Sequence, residues 1–214
     1  MLKCTLKADD SRDTAQCYAL KLGPPFVVKP ECLAYEDLCR QVPDVVVPYL
    51  GRYYVPSPSN RSAATTPSTH WQKQKTLTGF VMEYMPNCDM FYLLDLLQHK
   101  EVGKREPLHP SVARWYVMDI LNSLYAIHRC GYYHGDVKPE NLMLKADGHV
   151  VFTDFGATRK DTEENWKMHN FGTRGCQAPE ICCKIPTPGP RRPSDLWSVG
   201  ILLFDMLFGY FVSH

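Results

Sequence analysis

Net charge is nearly absent from this 214-residue chain, in which 24 Lys and Arg stand against 23 Asp and Glu. A sequence so balanced lacks the basic excess that a nucleic-acid or anionic-membrane partner needs, so neither partner is expected. Long hydrophobic runs are missing too. The longest, Trp197 to Val212, is shorter than a membrane span requires and is interrupted by Asp205; a buried core helix accounts for it better. The opening residues, MLKCTLKADDSRD, are too charged for the apolar centre of a signal peptide. The nine cysteines form no CxxC pair, and only Cys182 and Cys183 adjoin, so neither a zinc site nor a disulfide framework is expected. Reduced thiols packed as small hydrophobes imply a cytoplasmic or nuclear chain.

What is present reads as an α+β protein of one or two domains, long enough to bury a real core. Residues 1–6 and 17–22 read as short strands around the polar turn ADDSRD. Pro24, Pro25 and Pro30 exclude helix until about Glu31, after which Leu33, Leu38 and Val42 fall at roughly helical spacing. Asp44 to Tyr54 is β-branched and aromatic, with Pro48 marking an edge. Residues 56–76 are rich in Pro, Ser and Thr and read as a flexible surface insertion. The strand LTGFVMEYM and the helix DMFYLLDLLQH follow. The strongest helix runs from Ser111 to about Arg129, with Val112, Tyr116, Val117, Ile120, Leu121, Leu124, Ile127 and His128 at the i, i+3/i+4 spacing. Pro110 and Gly131 mark its ends. The turn Ala146-Asp147-Gly148 between LML and VVFT signals a hairpin. A last helix begins near Asp195, with Ser194 as its N-cap, and ends near Gly209.

The chemistry concentrates in residues 133–156, YHGDVKPENLMLKADGHVVFTDFG. Phosphoryl transfer needs little covalent help; it needs a phosphate held, neutralised and aligned with a nucleophile. Asp154 and Asn141 offer the hard oxygens that Mg²⁺ prefers, Asp136 can take a hydroxyl proton, and Lys138 can reach the transferring phosphate. Asp136 or Asn141 alone is equally well read as an Asx-type tie in a turn. Their order, with eighteen positions from Asp136 to Asp154 and a hairpin between, carries the argument.

HGDVKPENLML resembles the catalytic loop of the protein kinases, TDFG their metal-binding segment, FGTRGCQAPE the end of their activation segment and SDLWSVGILLFDML their buried central helix. The resemblance spans most of residues 80–210. Lys138 followed by Pro139-Glu140 is similar to the serine/threonine type. It implies a two-lobed kinase-like fold, with residues 1–83 a partial, β-rich N-lobe and 84–214 a partial, mainly helical C-lobe. It also implies ATP and Mg²⁺ in the cleft and a protein substrate. Asp136 and Lys138 would be catalytic, Asn141 and Asp154 would hold the metal, Asp195 would bond catalytic-loop backbone and Thr173 would sit beside the catalytic aspartate. CYALKL resembles the strand with the ATP-contacting lysine, making Lys21 the candidate and Lys29 its rival. Its partner is Glu31 or Glu36, with Glu31 preferred. GFVMEYMPNCDMF resembles the hinge: Met82 at the back, backbone of Glu83 and Met85 at the adenine, Asp89 at the ribose.

Three departures stand out. No G-x-G-x-x-G occurs, and the chain starts where that family's second strand is expected and stops soon after the central helix, so an N-lobe lacking its glycine-rich loop and a truncated C-lobe are expected. The last helix is then expected to expose an apolar face that a partner would cover. Gly135 replaces the usual arginine, so phosphorylation of Thr158 or Thr162 finds no catalytic-loop cation, and activity independent of it is expected. Two alternatives remain beside the kinase: a catalytically impaired, pseudokinase-like binding module or kinase fragment, and a small-molecule phosphotransferase, which the APE and SDLWSVG segments disfavour.

Overall fold

A computed structural model of the chain describes residues 2–5, 17–56, 75–101, 104–166, 172–185 and 189–209. The ADDSRD turn and residues 57–74 of the anticipated insertion lie outside them. Its N-terminal part is a four-stranded antiparallel sheet in the order β1-β2-β4-β3. The strands are β1 (Leu2–Thr5), β2 (Cys17–Leu22), β3 (Tyr49–Pro56) and β4 (Lys75–Glu83). Helix α1 (Pro25–Gln41) packs on this sheet. The expected exclusion of helix before Glu31 is therefore wrong. Pro25 stands in the first turn, where the missing N–H is an orphan anyway, after an extended Pro24. Pro30 falls on the exposed side, where water can take up the carbonyl of the exposed Phe26.

The buried stripe of α1 is Val28, Glu31, Cys32, Tyr35 and Leu38, so the helical period starts earlier than expected. Leu33, read as core, is 51% exposed. Between α1 and β3 the chain forms a short 3₁₀ turn at Pro43–Val45 instead of the start of a strand. Val47 donates to the Phe152 carbonyl at 2.9 Å and Glu83 to that of Pro48 at 2.9 Å, stitching this linker to both halves of the molecule. Lys75 and Thr76, placed in the insertion by composition, belong to β4.

Beyond β4 the chain is mainly helical. Helix α2 (Met90–Gln98) leads into the small hairpin β5 (His99–Glu101) and β6 (Lys104–Arg105). Helix α3 (Pro110–Arg129) buries Ala113, Val117, Ile120, Leu124 and Ile127. Val112 is exposed rather than core. The chain continues through β7 (Tyr132–Tyr133), the hairpin β8 (Leu142–Leu144) and β9 (Val150–Phe152), and β10 (Arg159–Lys160), which pairs back on β7. Short helices α4 (Glu163–Trp166) and α5 (Pro179–Cys182) precede α6 (Arg192–Phe208). Helix α6 begins three residues before the expected start and follows Arg191; Ser194 lies inside it, its hydroxyl on the Arg191 carbonyl at 2.7 Å. Pro193 in the first turn and Gly209 with φ 68° at the end fit both termini. Its inner face packs on α3, while Leu196, Trp197, Phe204 and Phe208 are exposed. No helix among the described residues is long and apolar enough to cross a membrane.

Candidate active site

The hairpin β8–β9 assembles the site. Its register pairs Leu142 with Phe152, and the Thr153 amide donates to the Asn141 carbonyl at 3.0 Å. The loop ending at Asn141 is thereby brought against the turn that starts at Asp154. A 3₁₀ turn at Pro139–Asn141 folds the Asn141 side chain back on the loop. Its Nδ2 donates to the Asp136 carbonyl at 2.8 Å and to Asp136 Oδ2 at 3.0 Å.

Asp136 is held from the other side by Thr173, whose N–H and hydroxyl both donate to Oδ1 at 2.8 Å. Lys138 donates to Thr173 Oγ1 at 2.8 Å and stands 3.4 Å from Asp136 Oδ2. A carboxylate has about four lone-pair sites. Thr173 and Asn141 take three, and the fourth lies on Oδ2, the oxygen that the Lys138 ammonium approaches.

The loop backbone is fixed from below by Asp195, near the start of α6. Its Oδ2 accepts from the His134 amide and its Oδ1 from the Gly135 amide, both at 2.8 Å, and His128 Nε2 reaches Oδ2 at 2.8 Å. Buried His134 has its pKa lowered by burial, which outweighs the nearby carboxylates. The Asp136 amide donates to its Nδ1 at 3.2 Å, which assigns the proton to Nε2, facing the Thr153 carbonyl at 3.2 Å. Gly135 has φ 80°, a left-handed backbone that glycine adopts without strain.

Gly172 supports the same corner. Its φ is +80°, and a Cβ there would lie 2.6 Å from the Gly135 carbonyl oxygen and 3.7 Å from Asp136 Oδ1. Gly172→Ala is therefore expected to shift Thr173 off Asp136 and to lower turnover by about 10²-fold, alongside a fall in melting temperature. Steady-state kinetics and a thermal melt read both effects; wild-type values in either would contradict this account.

On the opposite wall, Lys21 Nζ lies 2.7 Å from Glu31 Oε1 and 2.6 Å from Asp154 Oδ1. Glu36 is engaged elsewhere, accepting from Arg52 at 2.8 and 2.6 Å and from Tyr49 at 2.7 Å, and Lys29 is exposed on α1. Burial alone would lower the Lys21 pKa, but the two carboxylates outweigh it and raise it. Burial would likewise raise Asp154, and the Lys21 ammonium overcomes it and holds the carboxyl below its ordinary value. For Glu31, 1% exposed, burial prevails over Lys21 and its pKa is raised. Asp154 sits at φ 57° and caps the turn at Phe155–Ala157, accepting from Gly156. Its Oδ2 takes part in none of these bonds. Buried Phe155 lies 4.7 Å from the Tyr35 ring of α1 and 5.3 Å from that of His134.

Asn141 from the first group and Asp154 from the second line a cleft of about 230 Å³, with Ala19, Val47, Met82 and Met85 among the other lining residues. Glu83 and Asp89 also line it. The Glu83 amide is already given to Pro48, so a ligand would have to use its carbonyl. Asp89 Oδ1 accepts from the Tyr92 amide at 2.8 Å, which makes it the cap of α2 as well as a wall of the cleft. Among the described residues no group of three or more His, Cys, Asp and Glu gathers as a metal site; Asn141 and Asp154 bring one amide and one carboxylate to the cleft.

Sequence reasoning passed over Ala19 and Glu140, which also line the cleft. Ala19 was within reach, since it shares a strand face with Lys21 at i, i+2. It also passed over Tyr132, whose hydroxyl donates to Asp37 of α1 at 2.8 Å and whose ring lies 5.6 Å from Lys160 Nζ. Nothing in the sequence marks that contact. Thr158, weighed as a phosphorylation site, is buried with its hydroxyl on the His134 carbonyl at 2.9 Å, and is closed to modification in this fold.

A four-stranded sheet with one helix, a mainly helical second part, and a cleft lined by Asn141, Asp154, Asp89 and Glu83 stand together in this fold. The protein kinase domain family matches residues 65–214, and the chain belongs to that family. It is similar to ribosomal protein S6 kinase beta of Caenorhabditis elegans, 37% identical over 131 residues, covering 60% of this chain and 22% of that protein. It is also similar to serine/threonine-protein kinase AtPK1/AtPK6 of Arabidopsis thaliana, 42% identical over 100 residues, 46% of this chain and 21% of that protein. A third relative is serine/threonine-protein kinase Sgk1 of Rattus norvegicus, 35% identical over 131 residues, 61% of this chain and 28% of that protein. The chain thus spans between about a fifth and just over a quarter of the length of these relatives.

Proposed function

We propose that this chain carries the catalytic centre of a serine/threonine protein kinase, moving the γ-phosphoryl group of ATP to hydroxyls of a protein substrate. The observation that carries the reading is the bonded set Asp136, Lys138, Asn141 and Thr173 together with the Lys21–Asp154 pair, the two joined at a cleft that Asn141 and Asp154 both line. Two of the relatives bear the serine/threonine name. Residues 1–83 would supply the nucleotide's upper wall and 84–214 its lower wall and the substrate side. The free cysteines among the described residues accord with a reducing cytoplasmic or nuclear setting.

In the proposed reaction the substrate oxygen bonds to the γ-phosphorus as the bond to the β-phosphate oxygen breaks. ADP leaves with that electron pair, and the hydroxyl proton passes to Asp136. Thr173 and Asn141 orient the Asp136 carboxylate, and Lys138 brings positive charge to the transferring group. Lys21 would grip the nucleotide phosphates while Glu31 keeps its ammonium in place. The backbone of Glu83 and Met85 would meet the base, and Asp89 the ribose. Asn141 Oδ1 and Asp154 Oδ2, which are outside the bonds above, suit a hard cation. Bound there, Mg²⁺ would neutralise phosphate charge.

Incubation with γ-labelled ATP and separate serine, threonine, tyrosine and small-alcohol acceptors tests the reading. Label on serine or threonine is expected, lost on chelation of Mg²⁺ and restored by its return. Label on small alcohols alone, or nucleotide binding with no transfer to any acceptor, would overturn it.

A further inference from the structure

Asp161 lies seven positions after Asp154 in the segment that leads toward Thr173. Its side chain is 1% exposed, yet its donors come from separate places. The Trp166 indole Nε1 and the Arg191 amide each reach Oδ1 at 2.8 Å, and Arg192 Nε reaches Oδ2. The Asp161 amide in turn donates to the Gly131 carbonyl at 2.8 Å, next to the β7–β10 pairing. One residue therefore joins the segment after Asp154, the strand that feeds the catalytic loop, and the start of α6. That start also carries Asp195, which holds the His134 and Gly135 amides.

Among the described residues the anion of this arrangement is Asp161 itself. Gly135 brings no cation, Thr158 is buried, and Asp161 already offers a buried anion to Arg192. Thr162 is exposed, and its hydroxyl accepts from Asn165 Nδ2 at 3.2 Å. A carboxylate accepting a charge-assisted bond and two neutral ones is a strong local tie.

We propose that Asp161 is a positioning residue that orders residues 159–166 against α6 without covalent modification. The inference rests on the kinase reading for its purpose, but its test does not need turnover. Amide hydrogen exchange is compared for the full chain as wild type, Asp161→Asn and Arg192→Met, each before and after phosphatase. Protection of the amides of residues 159–162 and of Arg191 should fall about tenfold or more in Asp161→Asn. The amides of α3 should keep theirs, and phosphatase should change nothing in the wild type. Wild-type protection in Asp161→Asn, or loss of it in the wild type after phosphatase, overturns the proposal. If Asp161→Asn loses protection throughout α3, Arg192→Met decides, since it removes one donor and leaves the main-chain bonds. A partial loss confined to the same amides supports the tie, and none overturns it. Kinetics give the second readout: in Asp161→Asn the KM for a protein acceptor should rise about tenfold with the KM for ATP unchanged, and Thr162→Ala should match wild type. A fall in kcat with both KM values unchanged would count against it. A wild type without transferase activity would remove the kinase reading and leave the exchange result standing.

Discussion

Asp136→Asn should lower phosphoryl transfer by about 10²–10⁴-fold, the usual contribution of a positioned base, while the KM for ATP stays close to wild type. The reasoning is local. The Asp136 carboxylate accepts from Thr173 twice and from Asn141 once. An asparagine there keeps one acceptor oxygen for Thr173 and turns an amide NH₂ toward the NH₂ of Asn141. Basicity is lost and two donors meet. Asp136→Ala separates the effects, since it removes the base without that opposition; both variants should be comparably slow. Rapid-quench measurement of a single turnover reads the chemical step alone. Wild-type turnover in either variant would take Asp136 out of the reaction.

Lys21→Met should weaken nucleotide binding and destabilise the fold together, and the stability deficit should widen with pH. Without the ammonium, Glu31 and Asp154 lose the charge that both face. Breaking a buried pair costs about 3–5 kcal/mol, and solvent screening at Asp154, 40% exposed, brings the expectation to about 2–3 kcal/mol. The pH dependence follows from two carboxyls displaced in opposite directions. The pKa of Asp154 is held down, so its contribution is present above the ordinary 3.8 and is lost as pH falls through its lower folded value. The pKa of Glu31 is raised, so the folded state is favoured below the ordinary 4.5 and penalised as pH climbs through its higher folded value. Methionine removes the first benefit and enlarges the second penalty. Denaturant melts of both proteins from about pH 4 to about pH 8 measure the gap; a gap independent of pH would mean that neither carboxyl is linked to Lys21.

How far the sequence disclosed this site depends on how far apart along the chain its parts lie. Asp136, Lys138, Asn141 and Asp154 are carried by one hairpin, so their spacing alone brings them near one another. Lys21 is distant, and it became readable only through the resemblance of its strand to a known pattern. Helix α1 was misread at its start because proline breaks a helix in the middle yet suits the first turn, and composition does not say which position applies. That error shifted the apolar period and made Leu33 look buried instead of Val28 and Tyr35. Asp161 stood in a polar run, KDTEENW, where nothing distinguishes a buried hub from a solvated carboxylate. Its partners Arg191 and Arg192 lie some thirty residues on, and no local periodicity spans that distance.

Tyr132 has a mechanical consequence. Its hydroxyl is fastened to Asp37 on α1, its ring underlies Lys160, and its backbone belongs to the strand that runs directly into His134. Any outward swing of α1 that draws Glu31 from Lys21 must also snap or drag this fastening. The Lys21–Glu31 pair and the loop at His134 are in that sense geared, so that loosening one is transmitted to the other through this phenol as well as through the Tyr35–Phe155–His134 ring stack.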